Sequence, residues 1–377
     1  MKILLVSMAS LHFFRWTEQL RDSGHEVYWF DVLDGGEEVE RLDFVHQKVG
    51  WKRRWDFPGR FFLKKKLPLL YKGVQLFNER KSPSVFEAYL DEVQPDVVHS
   101  FALYVSCTPI LEVMQQHSTI PWVYSSWGSD LFYFKNHPEY LKEMQEVLPR
   151  LNYQFSDCNR DIQLAKEMGF QGEPLGVFPG GGGYDLQNYT AFKTTFKNKN
   201  SILVKGFAGR SGRAVQIIRA LSKLEKELTG FNLVVFGADL EVLEEIKRLG
   251  LSCLTFSRIP HNKVLQLMGE AKIYIGNSNS DGTPNTMLEA MIMEAFPIQS
   301  NPGGATAEWI THQKNGLLLE DPEDVEAIAE QIRYALLNPE MMQEGIAFNS
   351  KEIVPKLERE YVREQVLKGY KKIEVSL

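Results

Sequence analysis

The sequence predicts an α/β protein made of two lobes, each a doubly wound parallel sheet. Three observations support this class. The chain has 377 residues, which suits two cores better than one. Its opening follows a strand, helix, strand pattern typical of a βαβ unit. The same alternation starts again after residue 200.

In the first lobe, KILLVSM, the amphipathic stretch HFFRWTEQLRDSGH and EVYWFDV form the opening βαβ unit. Residues 96–101 and 122–125 are predicted to be buried strands, because each is a short apolar run that follows a proline. These elements give the N-terminal half a doubly wound sheet.

In the second lobe, SILVKG, AVQIIRALSKLEKEL, FNLVVFG and KIYIGN repeat the strand and helix alternation. The segment 178–200 is rich in Gly, Asn and Lys, which indicates the crossing between lobes. We therefore predict domains at 1–195 and 196–353. The segment 354–377 has an apolar stripe, and either closes the second lobe or crosses back to the first.

Composition indicates a folded, non-fibrous protein, with 44% hydrophobic and 24% charged residues. The formal charge of -6 gives no reason to expect nucleic-acid binding. Cys107, Cys158 and Cys253 are too scattered for a disulfide framework or a zinc site, which favours a reducing, cytoplasmic compartment. No apolar run approaches the roughly 20 residues that span a bilayer. The N-terminal segment is predicted to be a strand and not a signal peptide, so we expect a soluble or peripheral protein.

The motif SNSDGTPNTMLE at 278–289 is the sharpest local pattern. A strand ends there and a helix begins near Pro284, so free backbone N–H groups and a positive dipole end form an anion site. Gly282 and Thr283 lie in the turn, where glycine permits a close ligand approach. Glu289, one turn into the helix, can accept hydrogen bonds from a ribose. The alternative is a plain strand-turn-helix junction.

This motif resembles that of glycosyltransferase family 4, in which an acidic residue, seven others and a Glu recur, and the resemblance covers nearly the whole chain. It implies the GT-B fold, with two Rossmann-like domains facing a central cleft, and sugar transfer with retention. By resemblance, Asp281 holds hydroxyls of the donor sugar, the backbone at Asn285 and Thr286 holds phosphate, and Glu289 holds the ribose. Asp281 replaces the Glu that is usual at the first acidic position.

The segment VKGFAGRSGRAVQII follows the first strand of the second lobe, where family members keep an Arg and a Lys for the leaving diphosphate. Lys205 and Arg213 are the candidates by resemblance, with Arg210 as a substitute and Gly206 beside them. No DxD-type pair recruits a metal, so we expect none and no other cofactor. The alternative is that these cations are solvated loop residues. Ile259, in RIPHNKV, lines the base pocket by resemblance.

In the first lobe, His12 and Arg15 follow the first strand at the edge where open α/β sheets bind ligands. His99 ends a later strand and resembles a family histidine, although a buried structural histidine is an equal alternative. The candidate acceptor side therefore comprises His99, Trp127 and Arg15, with His12 as a catalytic candidate.

Trp127 and Asp130 lie in WGSD, where family members often have His-Gly-x-Asp. Tryptophan transfers no proton, so either Asp130 acts on the acceptor hydroxyl or orientation and diphosphate stabilisation are sufficient. A helix cap is the alternative for Asp130. The four glycines 180–183 indicate either closely packed backbone or a hinge.

The segment 51–72 combines basic residues with Trp and Phe, and its only acid is Asp56. Such a surface suits an anionic membrane, and a solvated face with snorkelling lysines is the alternative. Family members often use lipid-linked acceptors, which favours membrane contact on the inner face of the membrane.

We therefore expect a glycosyltransferase that uses a nucleotide diphosphate sugar and a glycan or lipid-linked acceptor in polysaccharide, lipopolysaccharide or glycolipid assembly. Two alternatives remain open: an epimerase or hydrolase of the same fold, and a sugar-nucleotide-binding protein without catalysis. A dinucleotide oxidoreductase is disfavoured because neither lobe begins with GxGxxG.

Overall fold

Two units, each with its own core, make up the computed structural model, which describes residues 1–377. The first unit comprises Met1–Ser156, Asp161–Gly182 and Gln365–Leu377, and the second comprises Asp157–Arg160 and Gly183–Glu364.

The first unit contains a seven-stranded parallel sheet in the order β3-β2-β1-β4-β5-β6-β7. Its strands are β1 (Lys2–Ser7), β2 (Glu26–Asp31), β3 (Val45–Lys48), β4 (Val97–Phe101), β5 (Trp122–Ser125), β6 (Tyr153–Ser156) and β7 (Glu173–Val177). In β1, the run Ile3 to Val6 is wholly buried, as expected for a strand covered on both faces. The predicted strands at 96–101 and 122–125 are confirmed within one residue.

The helices up to the end of this sheet connect its strands and cover its faces. They are α1 (Leu11–Thr17), α2 (Arg60–Lys66), α3 (Pro68–Asn78), α4 (Ser82–Val93), α5 (Leu111–Gln116), α6 (Ser129–Phe132), α7 (Pro138–Val147) and α8 (Asn159–Glu167). Helix α1 begins where the Ser10 hydroxyl accepts a hydrogen bond from the Phe13 N–H. Its Phe13 and Trp16 are buried, so the helix packs on the sheet through that stripe.

The second unit repeats this design with a six-stranded parallel sheet in the order β10-β9-β8-β11-β12-β13. The strands are β8 (Ser201–Lys205), β9 (Asn232–Phe236), β10 (Leu254–Phe256), β11 (Ala271–Gly276), β12 (Phe296–Ser300) and β13 (Leu317–Leu319). The helices are α9 (Ala214–Leu221), α10 (Leu240–Leu249), α11 (His261–Glu270), α12 (Asn285–Ile292), α13 (Val325–Leu337) and α14 (Pro339–Phe348), together with the first residues of α15 (Arg359–Ser376).

Both sheets have the strand order of the doubly wound nucleotide-binding fold. The order reverses between β1 and β4 in the first sheet, and between β8 and β11 in the second. The predicted class of two parallel-sheet α/β units is confirmed.

The second unit begins at Gly183, before the boundary expected near residue 195. Tyr184 and Tyr189 pack in an apolar cluster of the second unit with Leu288 and Met291, and this packing explains the earlier start. At the other end of the chain, Gln365–Leu377, which begins within α15, belongs to the first unit.

None of the helices is both long and apolar enough to cross a membrane. None of the three cysteines forms a disulfide bond.

Candidate functional site

The carboxyl ends of β8 and β11 lie side by side because these strands are neighbours where the second sheet reverses its order. Open α/β sheets bind ligands at this point. The loops that follow the two strands are joined, since the Asn279 N–H donates to the Ser211 carbonyl over 2.9 Å. The structure therefore brings the candidates Lys205 and Asp281 into one loop cluster.

Asp281 is a half-buried carboxylate whose Oδ1 accepts a hydrogen bond from the Gly282 N–H over 3.0 Å. Burial raises the pKa of this carboxyl, and the charge of Lys205 is the largest influence that opposes the rise. Lys205 is the last residue of β8, with its ammonium 5.9 Å from the centre of the Phe207 ring. An acceptor and a cation thus lie close together at this sheet edge.

Helix α12 begins with no side-chain cap, because Pro284 at the N-cap position offers no acceptor. Two tyrosine hydroxyls hold the side chains of its first two residues in place. The Tyr184 hydroxyl donates to Asn285 Oδ1 over 2.9 Å, and the Tyr274 hydroxyl donates to Thr286 Oγ1 over 2.8 Å. An uncapped helix N-terminus of this kind suits an anion, and its role as a phosphate site stays a prediction.

Glu289 lies one turn into α12 and is only 5% exposed. Its Oε1 is 2.8 Å from His261 Nε2 and 3.5 Å from the Tyr189 hydroxyl. These partners fix the carboxylate in one orientation, as is needed for selective binding of a diol.

The turn before α12 is held by a residue that the sequence did not single out. Asp157 Oδ2 accepts from the Thr283 N–H over 3.2 Å, and the Thr283 hydroxyl donates to the Asp157 carbonyl over 2.5 Å. A Cβ at Gly282 would lie 2.3 Å from Asp157 Oδ2. Gly282 thus makes room for a carboxylate of the protein, and Thr283 uses its hydroxyl within the turn. A close ligand approach at Gly282 stays a prediction.

Arg160 is a second residue missed from the sequence. Its Nη1 donates to the carbonyl oxygens of Asp281 and Pro302 over 2.8 and 2.7 Å. Glu308 in turn accepts from the backbone N–H groups of Asn159 and Arg160 over 2.8 and 3.0 Å. The segment 157–160 thus positions both the turn before α12 and the loop after β12.

The cations after β8 are not equivalent. Arg213 forms an ion pair with Glu323 through Nε, and its Nη1 donates to the Gly212 carbonyl over 2.6 Å. Arg210 is exposed. Because the guanidinium of Arg213 is already engaged, Lys205 is the better-placed cation for a ligand.

Two further candidates, Gly206 and Ile259, are packed against other parts of the second unit. A Cβ at Gly206 would lie 2.7 Å from the Cα atom of Ala238, so this glycine permits close packing of neighbouring loops. Ile259 is half-buried and packs against the apolar cluster of Leu288 and Met291.

In the first unit, His12 and Trp127 follow the carboxyl ends of β1 and β5. Their ring centres are 4.8 Å apart in an edge-on arrangement. Burial and the charge of Arg15 lower the pKa of His12 to about 4, so its imidazole is neutral at pH 7. The Trp127 indole N–H is buried without an acceptor.

His99 does not belong to an accessible site, which corrects the expectation of an acceptor role. It is fully buried in β4, with Nδ1 2.6 Å from the Tyr370 hydroxyl and Nε2 2.8 Å from Ser125 Oγ. Burial lowers its pKa to about 3. His99 is therefore a neutral structural residue that fixes Tyr370 of α15.

Asp130 is also structural, which corrects its place among the catalytic candidates. Its Oδ2 accepts from the Tyr124 hydroxyl over 2.5 Å and from the Leu103 N–H over 3.0 Å, and its Oδ1 accepts from the Trp127 N–H over 2.8 Å. Only 3% of the residue is exposed. With three internal donors, the carboxylate holds the Trp127 loop in place.

The glycine run 180–183 is closely packed backbone. Gly182 and Gly183 have φ of 75° and 77°. A Cβ at Gly182 would lie 2.9 Å from the Arg15 carbonyl oxygen, and one at Gly183 would lie 3.0 Å from that of Leu357. Both the backbone conformation and the lack of space require glycine here.

Residues 187–351 match the family model "Glycosyl transferases group 1". A curated relative from Campylobacter jejuni is named GalNAc-alpha-(1->4)-GalNAc-alpha-(1->3)-diNAcBac-PP-undecaprenol alpha-1,4-N-acetyl-D-galactosaminyltransferase. It is 24% identical over 182 residues, which is 47% of this chain. The match spans about half of that relative, 50% of its length.

Solved structures align over the full length of both chains. Sucrose-phosphate synthase from Thermosynechococcus elongatus superimposes with a TM-score of 0.76 at 15% identity, covering 100% of each chain. Anabaena HepE in complex with UDP superimposes with a TM-score of 0.69 at 14% identity, also covering 100% of each. These similarities show the fold, which is that of GT-B glycosyltransferases, and residues 187–351 match the group 1 family model.

Proposed function

We propose that this protein is a glycosyltransferase that moves a sugar from a nucleoside diphosphate donor to an acceptor. The observation that carries the proposal is the uncapped N-terminus of α12 flanked by Lys205 and the fixed carboxylate of Glu289. An uncapped helix end suits a diphosphate, and an oriented carboxylate suits a ribose diol. The group 1 match over residues 187–351 supports this assignment.

In the proposed reaction, the backbone N–H groups of Asn285 and Thr286 bind the diphosphate, and Asp281 binds hydroxyls of the sugar. We infer family 4 chemistry with retention. The bond between the anomeric carbon and the diphosphate oxygen breaks, that oxygen takes the proton of the acceptor hydroxyl, and the acceptor oxygen bonds the anomeric carbon on the same face. The products are a glycoside and a nucleoside diphosphate.

Lys205 is the main residue that stabilises the negative charge developing on the leaving diphosphate. Arg213 contributes less because it already forms an ion pair with Glu323. A fixed cation aimed at developing charge accelerates such a step without reorganisation. We therefore propose that the reaction proceeds without a metal or another cofactor.

We place the acceptor on the first unit, beside His12, Arg15 and Trp127. The Campylobacter relative is named for an undecaprenol-linked substrate, which supports a glycan or lipid-linked acceptor for this chain. Residues 51–72 expose Phe61, Phe62 and a run of lysines, which supports peripheral attachment to the cytoplasmic face of an anionic membrane.

A thermal-shift screen of UDP, GDP, ADP and dTDP sugars without added metal tests the donor site, with UDP sugars first because HepE has been solved with UDP-glucose. Each stabilising donor is then assayed for nucleoside diphosphate release with and without lipid-linked acceptors. Release that requires an acceptor supports the transferase. Release without an acceptor indicates a hydrolase, conversion of the donor into another nucleotide sugar indicates an epimerase, and binding without turnover indicates a binding protein.

A further inference from the structure

Helix α3 exposes an apolar stripe that nothing else in the chain covers. Leu69 and Leu76 are each 82% exposed, and Phe77 is 76% exposed. Leu69 and Leu76 lie two turns apart and so share one face, and Leu70 and Phe77 repeat the same spacing. Phe61 and Phe62 of α2 add two more exposed rings. Contiguous apolar surface of this kind marks an interaction site.

The charge around this stripe is opposite to that of the whole chain. Residues 51–81 hold ten basic and two acidic residues, whereas the complete protein has a formal charge of -6. One of the two acids, Asp56, pairs with Arg60 over 3.4 Å. Lys64, Lys65, Lys66 and Lys72 have no carboxylate within 4.0 Å. This excess of unpaired cations beside apolar side chains complements an anionic lipid surface.

A groove of about 880 Å³ lies along α3 and is lined by the apolar Leu69 and Leu76, by the basic Lys72, Arg80 and Lys81, and by one acid, Glu79. Gln75 also lines it. This residue is only 8% exposed, and neither atom of its amide has a hydrogen-bond partner. An unsatisfied buried amide is costly to a protein, and a ligand that bonds to it would remove that cost.

We propose that this groove binds the phosphate headgroup of an anionic phospholipid. Lys72 and Arg80 bind the phosphate, the Gln75 amide hydrogen-bonds an ester or phosphate oxygen, and the apolar stripe enters the acyl layer. The inference rests on the membrane contact proposed above for residues 51–72 and deepens it by naming a lipid headgroup site that extends along α3 to Arg80. It does not depend on the transfer reaction, so its failure would leave the donor site untouched.

The test is flotation of the full chain with vesicles of phosphatidylcholine alone, and with vesicles that also contain phosphatidylglycerol. Binding is expected only to the second kind. Lys72→Glu with Arg80→Glu should weaken it by at least about 30-fold, because the loss of two surface cations alone accounts for that much and the new carboxylates are repelled by the anionic surface. Lys142→Glu, an exposed lysine on α7, serves as the matched control and should bind as the wild type does.

Two further variants separate the lipid site from a merely structural role. Leu69→Ser with Leu76→Ser should abolish flotation, whereas Leu240→Ser, at another 76% exposed leucine, should not. Gln75→Leu should weaken binding about tenfold while the Tm stays equal or rises, because it removes an unsatisfied buried amide.

Three results would overturn the inference. The first is equal binding to both kinds of vesicle, or none to either. The second is displacement by inorganic phosphate at constant ionic strength, which would assign the groove to a free anion. The third is self-association by light scattering that the leucine variants abolish without any effect of lipid, which would assign the stripe to a second copy of the chain.

Discussion

Replacing Glu289 with alanine should remove the contribution of the ribose to nucleotide binding. The carboxylate is buried and held by His261 at 2.8 Å, so it presents a fixed charged acceptor. A hydrogen bond to a charged group contributes about 1.5–3 kcal/mol, so removal of one ribose hydroxyl from the ligand should weaken wild-type binding about 10- to 150-fold.

The assay is calorimetric titration with the best-binding nucleoside diphosphate and with its 2′-deoxy and 3′-deoxy forms. Comparing wild type and Glu289→Ala across these ligands gives a double-mutant cycle that isolates the contact between carboxylate and ribose. In Glu289→Ala, the penalty for the missing hydroxyl should shrink to about twofold or less.

His261→Ala is the matched control. It removes one partner that orients Glu289 and keeps the carboxylate, so discrimination between ribose and deoxyribose should be reduced less than in Glu289→Ala. If Glu289→Ala folds normally and still discriminates against both deoxy ligands as the wild type does, Glu289 does not bind the ribose and the donor site is misassigned.

The remaining predictions concern the turn, the cation and acid stability. Gly282→Ala should lower the free energy of unfolding by about 1–3 kcal/mol, because its Cβ would meet the Asp157 carboxylate. Adding Asp157→Ala should restore part of that loss, as measured by chemical denaturation. If the losses of the two variants are simply additive, this explanation is wrong. Lys205→Ala should lower kcat about 100-fold with little change in nucleoside affinity, whereas Arg213→Ala should lower kcat less because Glu323 pairs with Arg213. Equal losses of kcat in the two variants would contradict the greater role of Lys205. Because the pKa of His99 is about 3 in the folded protein and about 6.5 when unfolded, the unfolded state gains a proton first as pH falls. This histidine should therefore cost about 4 kcal/mol of stability between pH 6.5 and 3.5, and His99→Gln should flatten the pH dependence of unfolding over that window.

The fold was predictable because its signals are local. The apolar runs of β4, β8 and β11 predict strands without reference to distant parts of the chain. Their alternation with helices then predicts that the strands are parallel. The strand order then brings the ends of β8 and β11 together, and the general rule for such sheets favours a ligand at this edge. The choice of Lys205 and Asp281 as its binding residues came from the family resemblance.

The partners of the candidate side chains were not predictable, because they come from distant parts of the sequence. Asp157 is 126 positions from Thr283, and Glu323 is 110 positions from Arg213. Neither carries a local pattern that distinguishes it from a surface acid. For the same reason, the sequence did not show that His99 is bound to Tyr370, which is 271 positions away.

Asp130 illustrates a different difficulty. Its motif, WGSD, is compatible with either a catalytic acid or a loop anchor, because both need a carboxylate just after a strand. The three internal donors that settle the matter come from Leu103, Tyr124 and the backbone of Trp127. Burial, which sequence spacing does not reveal, decides between the two.

The most direct test of the central claim measures nucleoside diphosphate release by the purified protein with its best donor, with and without a lipid-linked acceptor. The account predicts release that requires the acceptor, forms a glycoside in equal amount, and falls about 100-fold in Lys205→Ala. Donor consumption that is independent of any acceptor, or that is unchanged in Lys205→Ala, would contradict it.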